Sequence, residues 1–255
     1  MLHILFLAFF ENYNKVSTII LSIKIKKMRS IVNLFLVVLV AVAVISCKDN
    51  ASKAADATAE AATAQGVEYT ITPETAKVTW EGSKPTGKHV GTVNVAKGIF
   101  TVKDGSLAAG TVVLDMNTIT VTDLTGDDKA GLEEHLKGTG AEGADDFFSV
   151  TKFPMARFEI ISVTPSTEAG VNSMVKGNLT IKDITKEVTI PANITINNEM
   201  VVVTSNPFTI NRTDWGIKYA SKNFFKEIGD KFIEDAISFQ LMVEAKAAPA
   251  TTPAQ

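Results

Sequence analysis

Cysteine is nearly absent from this 255-residue chain, whose only thiol is Cys47. No internal disulfide can form, so the fold must rest on burial and hydrogen bonding. Histidine is also scarce, with only His89 and His135 after Cys47. Because a metal site needs several convergent ligands, and no HxH or HExxH spacing occurs, the sequence predicts no metal and no other cofactor.

Motifs for nucleophilic catalysis are missing as well. No Gly-x-Ser-x-Gly segment occurs, and serine and threonine fall in predicted strands and turns. The paired acids Asp127-Asp128 and Glu133-Glu134 fall in a predicted helix and indicate a solvated face, while Asp145-Asp146 fits a turn. The sequence therefore favours a protein that is not an enzyme.

Positive charge is concentrated at the start of the chain. Residues 1–46 hold five of the 25 lysines and arginines but only one of the 28 acids, which leaves a net charge of −7 on the remainder. An acidic body repels phosphate backbones, so we expect no nucleic-acid partner.

Residues 28–46 have the form of a secretory signal peptide. Arg29 gives a basic start, and the apolar run Ile31–Ile45 is shorter than the roughly 20 residues of a membrane span. Val44-Ile45-Ser46-Cys47 resembles the bacterial lipobox, which implies cleavage before Cys47 and acylation there. Two or more acyl chains would anchor the protein stably to a membrane. The alternative is an ordinary signal peptide beside a chance cysteine.

The flanking segments complete the predicted organisation. Residues 1–27 have no part in this signal and indicate a mis-assigned start, with a true N-terminal membrane helix as the alternative. Lys48-Asp49-Asn50 loosely resembles the surface-export signal of some bacterial lipoproteins. We therefore expect an exported protein on the outer membrane, at either its periplasmic face or the cell surface. Residues 47–66 predict the lipidated cysteine with a flexible Ala- and Thr-rich tether, and residues 247–255 predict a disordered tail.

Residues 67–246 show the period-two alternation of half-buried strands. In the final segment, for example, Ile237, Phe239 and Leu241 share one face. Pro191 predicts that its strand is an edge or bulged there, and Asp127–Lys137 predicts a short helix ended by Gly138. Further strands are predicted at Thr92–Val95, Ile99–Val102, Thr111–Met116, Ala156–Val163, Met200–Thr204 and Phe208–Ile210. The pattern predicts one all-β domain and leaves open a sandwich or a barrel of about eight strands.

Three stretches carry a family resemblance. They are His135-Leu136-Lys137 followed by Asp145–Val150, Lys152-Phe153-Pro154 and Arg157-Phe158, then Val175–Val188, then Asn211-Arg212-Thr213-Asp214-Trp215-Gly216-Ile217. In this order they closely resemble the YceI family of polyisoprenoid-binding proteins, over nearly all of residues 67–246. The resemblance implies an extended antiparallel, lipocalin-like β-barrel of about eight strands with one or two short helices. It also implies an apolar interior that holds an amphiphile with an isoprenoid tail, a periplasmic setting and no agreed catalytic reaction.

Two segments depart from the pattern expected of the family. Gly138–Ala144 and Lys222–Ile233 are both longer than expected, which puts the rim of the pocket and the ligand's identity in question rather than the fold. The predicted function is lipid-anchored carriage or storage of a polyprenyl or quinone-like lipid. The alternatives are a structural or partner-binding surface lipoprotein with a filled barrel and, third, an enzyme acting on such a lipid.

Six residues are candidates for ligand binding, each with a structural alternative. His89 could reach a polar headgroup from a Gly-rich loop, whereas His135 is expected to pack or cap the helix. The aromatic pair is expected to line the pocket or to plug one barrel end. The arginine meets a phosphate or quinone oxygen at the mouth or pairs with an acid such as Asp214. The candidates are Trp80, His89, Phe147, Phe148, Arg212 and Trp215.

Overall fold

Alternating apolar side chains fold the chain into an antiparallel sheet that closes on itself. The computed structural model describes residues 54–56 and 59–247. The predicted start at Met28, the signal peptide, Cys47 and all but the first residue of the predicted tail lie outside the described residues. Among the described residues, no helix is long and apolar enough to cross a membrane.

Eleven strands and one α-helix make up the described part of the chain. The strands are β1 (Ala55–Asp56), β2 (Val67–Ile71), β3 (Lys77–Lys84), β4 (Gly87–Lys103), β5 (Ser106–Val121), β6 (Met155–Pro165), β7 (Ser173–Ile181), β8 (Ile184–Ile196), β9 (Met200–Ser205), β10 (Phe208–Asn211) and β11 (Ala236–Ala247). The helix α1 (Gly126–Lys137) lies between β5 and β6, and 3-10 turns cover Arg212–Trp215 and Gly229–Lys231.

Eight strand positions form the ring. Strands β4 to β8 pair in sequence order, and β9 pairs with both β8 and β11. Strands β2 and β3 together fill the position between β4 and β11. In the same way β10 continues the position of β9 along β11. The predicted lipocalin-like barrel of about eight strands is confirmed.

The predicted strands lie where strands are observed, but the two strands predicted within β4 are each too short. Thr92–Val95 and Ile99–Val102 belong to one 17-residue strand. Register shifts against β5 between Thr92 and Asn94 and between Val95 and Lys97 break the period-two pattern. These bulges bend the strand around the barrel, and they also hide its continuity from the sequence pattern.

Pro191 lies just outside the ladder between β8 and β9, and the Asn206 amide donates to its carbonyl at 3.2 Å, so β8 is not an open edge there. Strand β9 pairs with β8 only from Ala192 onward, and β1 pairs with β8 at Lys186 and Glu187. Pro191 therefore lies between these two neighbours, where a missing backbone N–H leaves no ladder bond unmade.

The predicted helix forms almost as expected, over Gly126–Lys137. Asp127 and Asp128 lie in its first turn, where they complement the helix dipole. Gly138 ends the helix in the left-handed region, at φ 69°, and donates its N–H to the carbonyl of Glu134 at 2.9 Å. A residue with a Cβ would be strained in this conformation.

The described part of the predicted tether lies against the outer wall of the barrel rather than free of it. Residues 54–56 and 59–66, called the arm below, begin with β1 beside β8. The Ala54 amide donates to Asp214 Oδ2 at 2.9 Å, and the Ala62 amide donates to the Ile160 carbonyl at 2.8 Å. Asn178 Nδ2 also reaches the Ala59 carbonyl at 2.9 Å. Small alanine side chains let this backbone approach the sheet, a packing that has no apolar periodicity to reveal it.

Candidate ligand-binding site

The barrel interior holds a cavity of about 760 Å³. This is within the usual 300–1,000 Å³ range of small-molecule sites. Its deeper wall is made by inward apolar residues such as Leu107, Val175, Val203 and Val243. Several of these would pass as ordinary core residues, because the side chains that line an apolar cavity are the same types that fill a core.

Aromatic rings lie flat against the wall over glycines of neighbouring strands. Trp80 covers Gly91, and Phe158 covers Gly177, so that a Cβ added at either glycine would overlap the ring. Trp80 and Gly91 are direct partners across β3 and β4, and the Trp80 indole N–H donates to the Thr92 carbonyl at 3.3 Å. The glycines give the rings space beside the wall, which leaves the centre of the barrel open.

Polar groups gather at one end of the cavity, which we call the mouth. It is framed by the β3–β4 turn, by α1 and by the loop 217–235, and solvent-exposed lining residues such as Lys84, Phe225 and Lys231 lie there. The described residues that line the cavity include no Asp or Glu. The polar members at the mouth are Ser83, Lys84, His89, His135, Arg157, Arg212, Tyr219 and Lys231.

His89 lines the mouth and is tied to Asp123. Its Nδ1 lies 2.9 Å from Asp123 Oδ2, while the Val90 amide donates to Asp123 Oδ1 at 3.0 Å. Burial alone would raise the pKa of Asp123, but the hydrogen bonds from Val90 and His89 outweigh it and hold that pKa below its ordinary value. The pair therefore fixes the orientation of the His89 ring at the cavity opening.

The segment after α1 folds back onto the helix and places two phenylalanines on the cavity wall. The Phe148 amide donates to the Leu136 carbonyl at 3.1 Å, and the Val150 amide donates to the Lys137 carbonyl at 2.8 Å. These bonds satisfy carbonyls that the helix end leaves unpaired. Phe147 and Phe148 both line the cavity, and Phe147 is buried. Both side chains therefore lie on the cavity wall.

His135 packs in an aromatic cluster at the mouth. Its ring meets Phe147 and Tyr219 edge-on, with centroid distances of 5.1 Å and 4.8 Å. Its Nε2 lies 3.0 Å from Asp146 Oδ2. The predicted packing role is therefore observed, and His135 also lines the cavity.

Lys182 supports the same cluster from the β7–β8 turn. Its Nζ donates to the Phe147 carbonyl at 2.7 Å and to the Asp145 carbonyl at 3.2 Å. Burial lowers the pKa of Lys182, and the nearby charge of Asp145 opposes that shift. The lysine thus fixes the backbone that carries Phe147.

Arg212 is buried, and its donors face the protein. Its Nε, Nη1 and Nη2 donate to the carbonyls of Glu234, Ile217 and Ile233 at 3.1, 2.9 and 3.0 Å. Nη2 also lies 3.2 Å from Asp235 Oδ1. Burial lowers the pKa of Arg212, and Asp235 opposes the shift.

Asp214, the acid named as a possible partner of Arg212, does not pair with it. Asp214 points instead to the arm, because its carboxylate accepts the Ala54 amide. The true partner, Asp235, accepts from Ser221 Oγ at 2.9 Å and from Asn223 Nδ2 at 2.6 Å through its other oxygen. Arg212 and Asp235 thus hold both ends of the loop that frames the mouth.

Trp215 does not line the cavity. It is fully buried and donates its indole N–H to the Leu179 carbonyl at 3.0 Å. Of the two roles expected for Trp215, ligand binding and packing, its position in the structure corresponds to packing. The other five candidates, Trp80, His89, Phe147, Phe148 and Arg212, are part of the cavity lining.

Several lining residues had no signal that singled them out. Lys84 ends β3 and Lys231 ends the 3-10 turn Gly229–Lys231, and the fold brings both to one rim. Tyr219 lies in the segment just before a stretch noted only as longer than expected. Phe158 and Phe239 were visible as strand residues, but their inward direction depends on register. No group of three or more His, Cys, Asp or Glu side chains suited to a metal ion occurs within the part of the chain that the structure describes.

The YceI-like domain family model matches residues 69–245. The chain belongs to this family. The match spans β2 to β11 and so includes the whole ring and the mouth.

Two solved structures share the fold. BcnA from Burkholderia cenocepacia is similar at a TM-score of 0.51 and 16% identity, over 69% of this chain and 99% of that chain. A polyisoprenoid binding domain from Saccharophagus degradans, implicated in plant cell wall breakdown, is similar at a TM-score of 0.52 and 13% identity, over 71% of this chain and 99% of that one. The search of curated proteins gave no match.

Proposed function

We propose that this YceI-like protein binds an amphiphile with an isoprenoid tail and carries or stores it at the bacterial envelope, without catalysing a reaction. The observation that carries the proposal is the polarity of the cavity. The deeper part of the cavity is lined by apolar side chains, whereas the lysines, arginines and histidines of the lining lie at the mouth. The described lining residues include no carboxylate. A tail would lie inside and an oxygen-rich headgroup would meet the basic mouth.

The cavity supports this function over a barrel whose interior is filled by side chains. Burial of the tail alone can supply the affinity. A chain of ~30 carbons at roughly 0.3 kcal/mol per atom gives about 9 kcal/mol, which corresponds to submicromolar binding. The polyisoprenoid binding named for the Saccharophagus degradans domain is consistent with a ligand of this class.

The location of the protein is part of the proposal. The lipobox-like segment ending at Cys47 supports export, cleavage and acylation of that cysteine, which would hold the domain at the outer membrane. Lys48-Asp49-Asn50 loosely resembles a surface-export signal, and either face of the outer membrane fits the proposal. Intact mass measurement of protein from a bacterial membrane tests acylation directly.

Mass spectrometry of the lipid extracted from the purified full chain tests the binding function. Two neighbouring residues of β11 provide matched variants, because Leu241 lines the cavity whereas Met242 is exposed on the outer wall. We expect Leu241→Trp to fill the cavity and lose most of the bound lipid, while Met242→Trp keeps it. An isoprenoid lipid absent from the wild-type protein, or retained equally by both variants, would contradict the proposal.

A further inference from the structure

Exposed apolar side chains are concentrated at the mouth end of the barrel. Seven large apolar residues are exposed among the described residues. Val67 lies at the opposite end, and Met155 and Met242 face outward from β6 and β11, whereas the other four lie at the mouth end. These four are Ile184 after the β7–β8 turn and Tyr219, Phe224 and Phe225 in the loop 217–235. A grouping of this kind indicates an interaction surface.

The loop 217–235 combines this apolar surface with positive charge. Phe224 and Phe225 are 49% and 51% exposed. The Nζ of Lys218 lies 4.8 Å from the centre of the Phe224 ring. Residues 218–231 contain four lysines against Glu227 and Asp230, a net charge of +2 on a body of net charge −7. Glu234, which lies 3.5 Å from Lys222, and Asp235, which pairs with the buried Arg212, bring the whole loop 217–235 to a net charge of zero. The exposed segment 218–231 is therefore the basic and aromatic part of the loop on an acidic protein.

The first described residues of the arm lie at this same end. Ala54, the first described residue, is bonded to Asp214 just past β10, and β1 pairs near the start of β8 beside the β7–β8 turn. Six residues lie between Cys47 and Ala54, and the seven Cα-to-Cα steps that join them span at most roughly 25 Å. An acyl anchor on Cys47 would thus keep a membrane within reach of the mouth.

We propose that the mouth docks on the surface of an anionic lipid bilayer. Phe224 and Phe225 enter the interface, and the lysines of residues 218–231 lie over lipid phosphates. Aromatic side chains favour the headgroup level of a bilayer, and clustered lysines are attracted to anionic lipid. The inference rests on the proposed function, because it takes the Cys47 anchor and the lipid ligand from there.

Docking at this position has a direct consequence for ligand exchange. The cavity opens beside Phe225 and Lys231, so the opening faces the membrane. An isoprenoid tail then passes between bilayer and barrel without crossing water. The chemistry of this rim fits a lipid surface better than a protein partner, because lysines lie beside the exposed phenylalanines and both adjoin the opening of the cavity.

Spin labelling of the full chain in vesicles tests the docking. Phe224→Cys places a nitroxide label on the loop, and Val67→Cys places one on an equally exposed site at the far end. The vesicles contain phosphatidylethanolamine with phosphatidylglycerol, or phosphatidylcholine alone. We expect the ratio of oxygen to nickel-chelate accessibility to be several-fold larger at position 224 than at 67 in the anionic vesicles. It should fall in phosphatidylcholine and in the variant Lys218→Gln/Lys222→Gln/Lys226→Gln.

Three results would overturn the docking. With an acylated Cys47 confirmed by intact mass, equal nickel access at both sites rules out docking and leaves the proposed function standing. A label at 224 that is immobilised at high protein concentration without vesicles shows a contact between copies of the chain instead. An unacylated Cys47, seen as a labelled native thiol, removes the anchor, so it overturns the docking and the proposed membrane location, while lipid binding in the cavity is decided separately by the extraction experiment.

Discussion

Trp80 lies across Gly91, its direct partner on the neighbouring strand, and the ring occupies the space that a side chain at Gly91 would need. This contact explains how a barrel lined by large aromatic residues keeps an open interior. The ring is held to the wall by the missing Cβ and by its bond to the Thr92 carbonyl. The volume of the cavity thus depends on glycines, such as Gly91, that do not line it themselves.

The substitution Gly91→Ala should therefore cost stability. The new Cβ would overlap both the Trp80 ring and the Thr120 carbonyl, and overpacking of this kind costs roughly 1–3 kcal/mol. Displacement of the ring into the interior should also lower the amount of bound lipid. Urea unfolding and lipid extraction measure the two effects.

Gly82→Ala is the matched control on β3. No atom lies within 4 Å of a Cβ built at Gly82, so the same substitution should be neutral or slightly stabilising. Equal losses of stability at Gly82 and Gly91 would show that the ring contact does not matter.

Much of the barrel could be predicted because its determinants are local. Alternation located most of the strands, and Asp127–Lys137 carried its own helix signals. The cavity could not be located in this way, because inward residues such as Val203 look like any core residue. The partner of Arg212 was missed for a different reason: Asp235 is 23 residues away, and only the fold of the intervening loop brings it near. The direction of Trp215 likewise follows from the turn after β10 rather than from its residue type.

Arg212→Ala should be strongly destabilising. The substitution leaves the buried Asp235 carboxylate uncompensated and removes three bonds to loop carbonyls. Breaking a buried ion pair in this way costs roughly 3–5 kcal/mol. Arg157→Ala is the control, because Arg157 is exposed and pairs with Glu159 at 3.4 Å. A loss under about 1 kcal/mol is expected there, and comparable losses in both urea curves would argue against the role assigned to Arg212.

The contact between His89 and Asp123 should be visible in the titration of the carboxylate. The pKa of Asp123 is lowered, so its contribution to stability is present above the ordinary value of 3.8 and is lost as the pH falls through the lower, folded value. We expect His89→Ala to raise the pKa of Asp123 toward 3.8, as followed by carboxyl carbon NMR shifts. Asp145 is a control, because its lowered pKa is caused first by the hydrogen bond from Lys152. A shift of both carboxyls in this variant would mean that the substitution acts through a general change in structure.

The docking of the arm on the barrel makes a separate prediction for hydrogen exchange. The amides of Ala54 and Ala62 donate to Asp214 and to the Ile160 carbonyl, so both should exchange more slowly than in an unfolded peptide of the same sequence. Asp214→Ala removes only the acceptor of Ala54. Exchange at Ala54 should therefore become faster in this variant while Ala62 stays protected. Rapid exchange at both amides in the wild-type protein would show that the arm does not stay bound to the barrel. The chain before β2 would then be the flexible tether that the composition predicts, and it would not be held near the mouth.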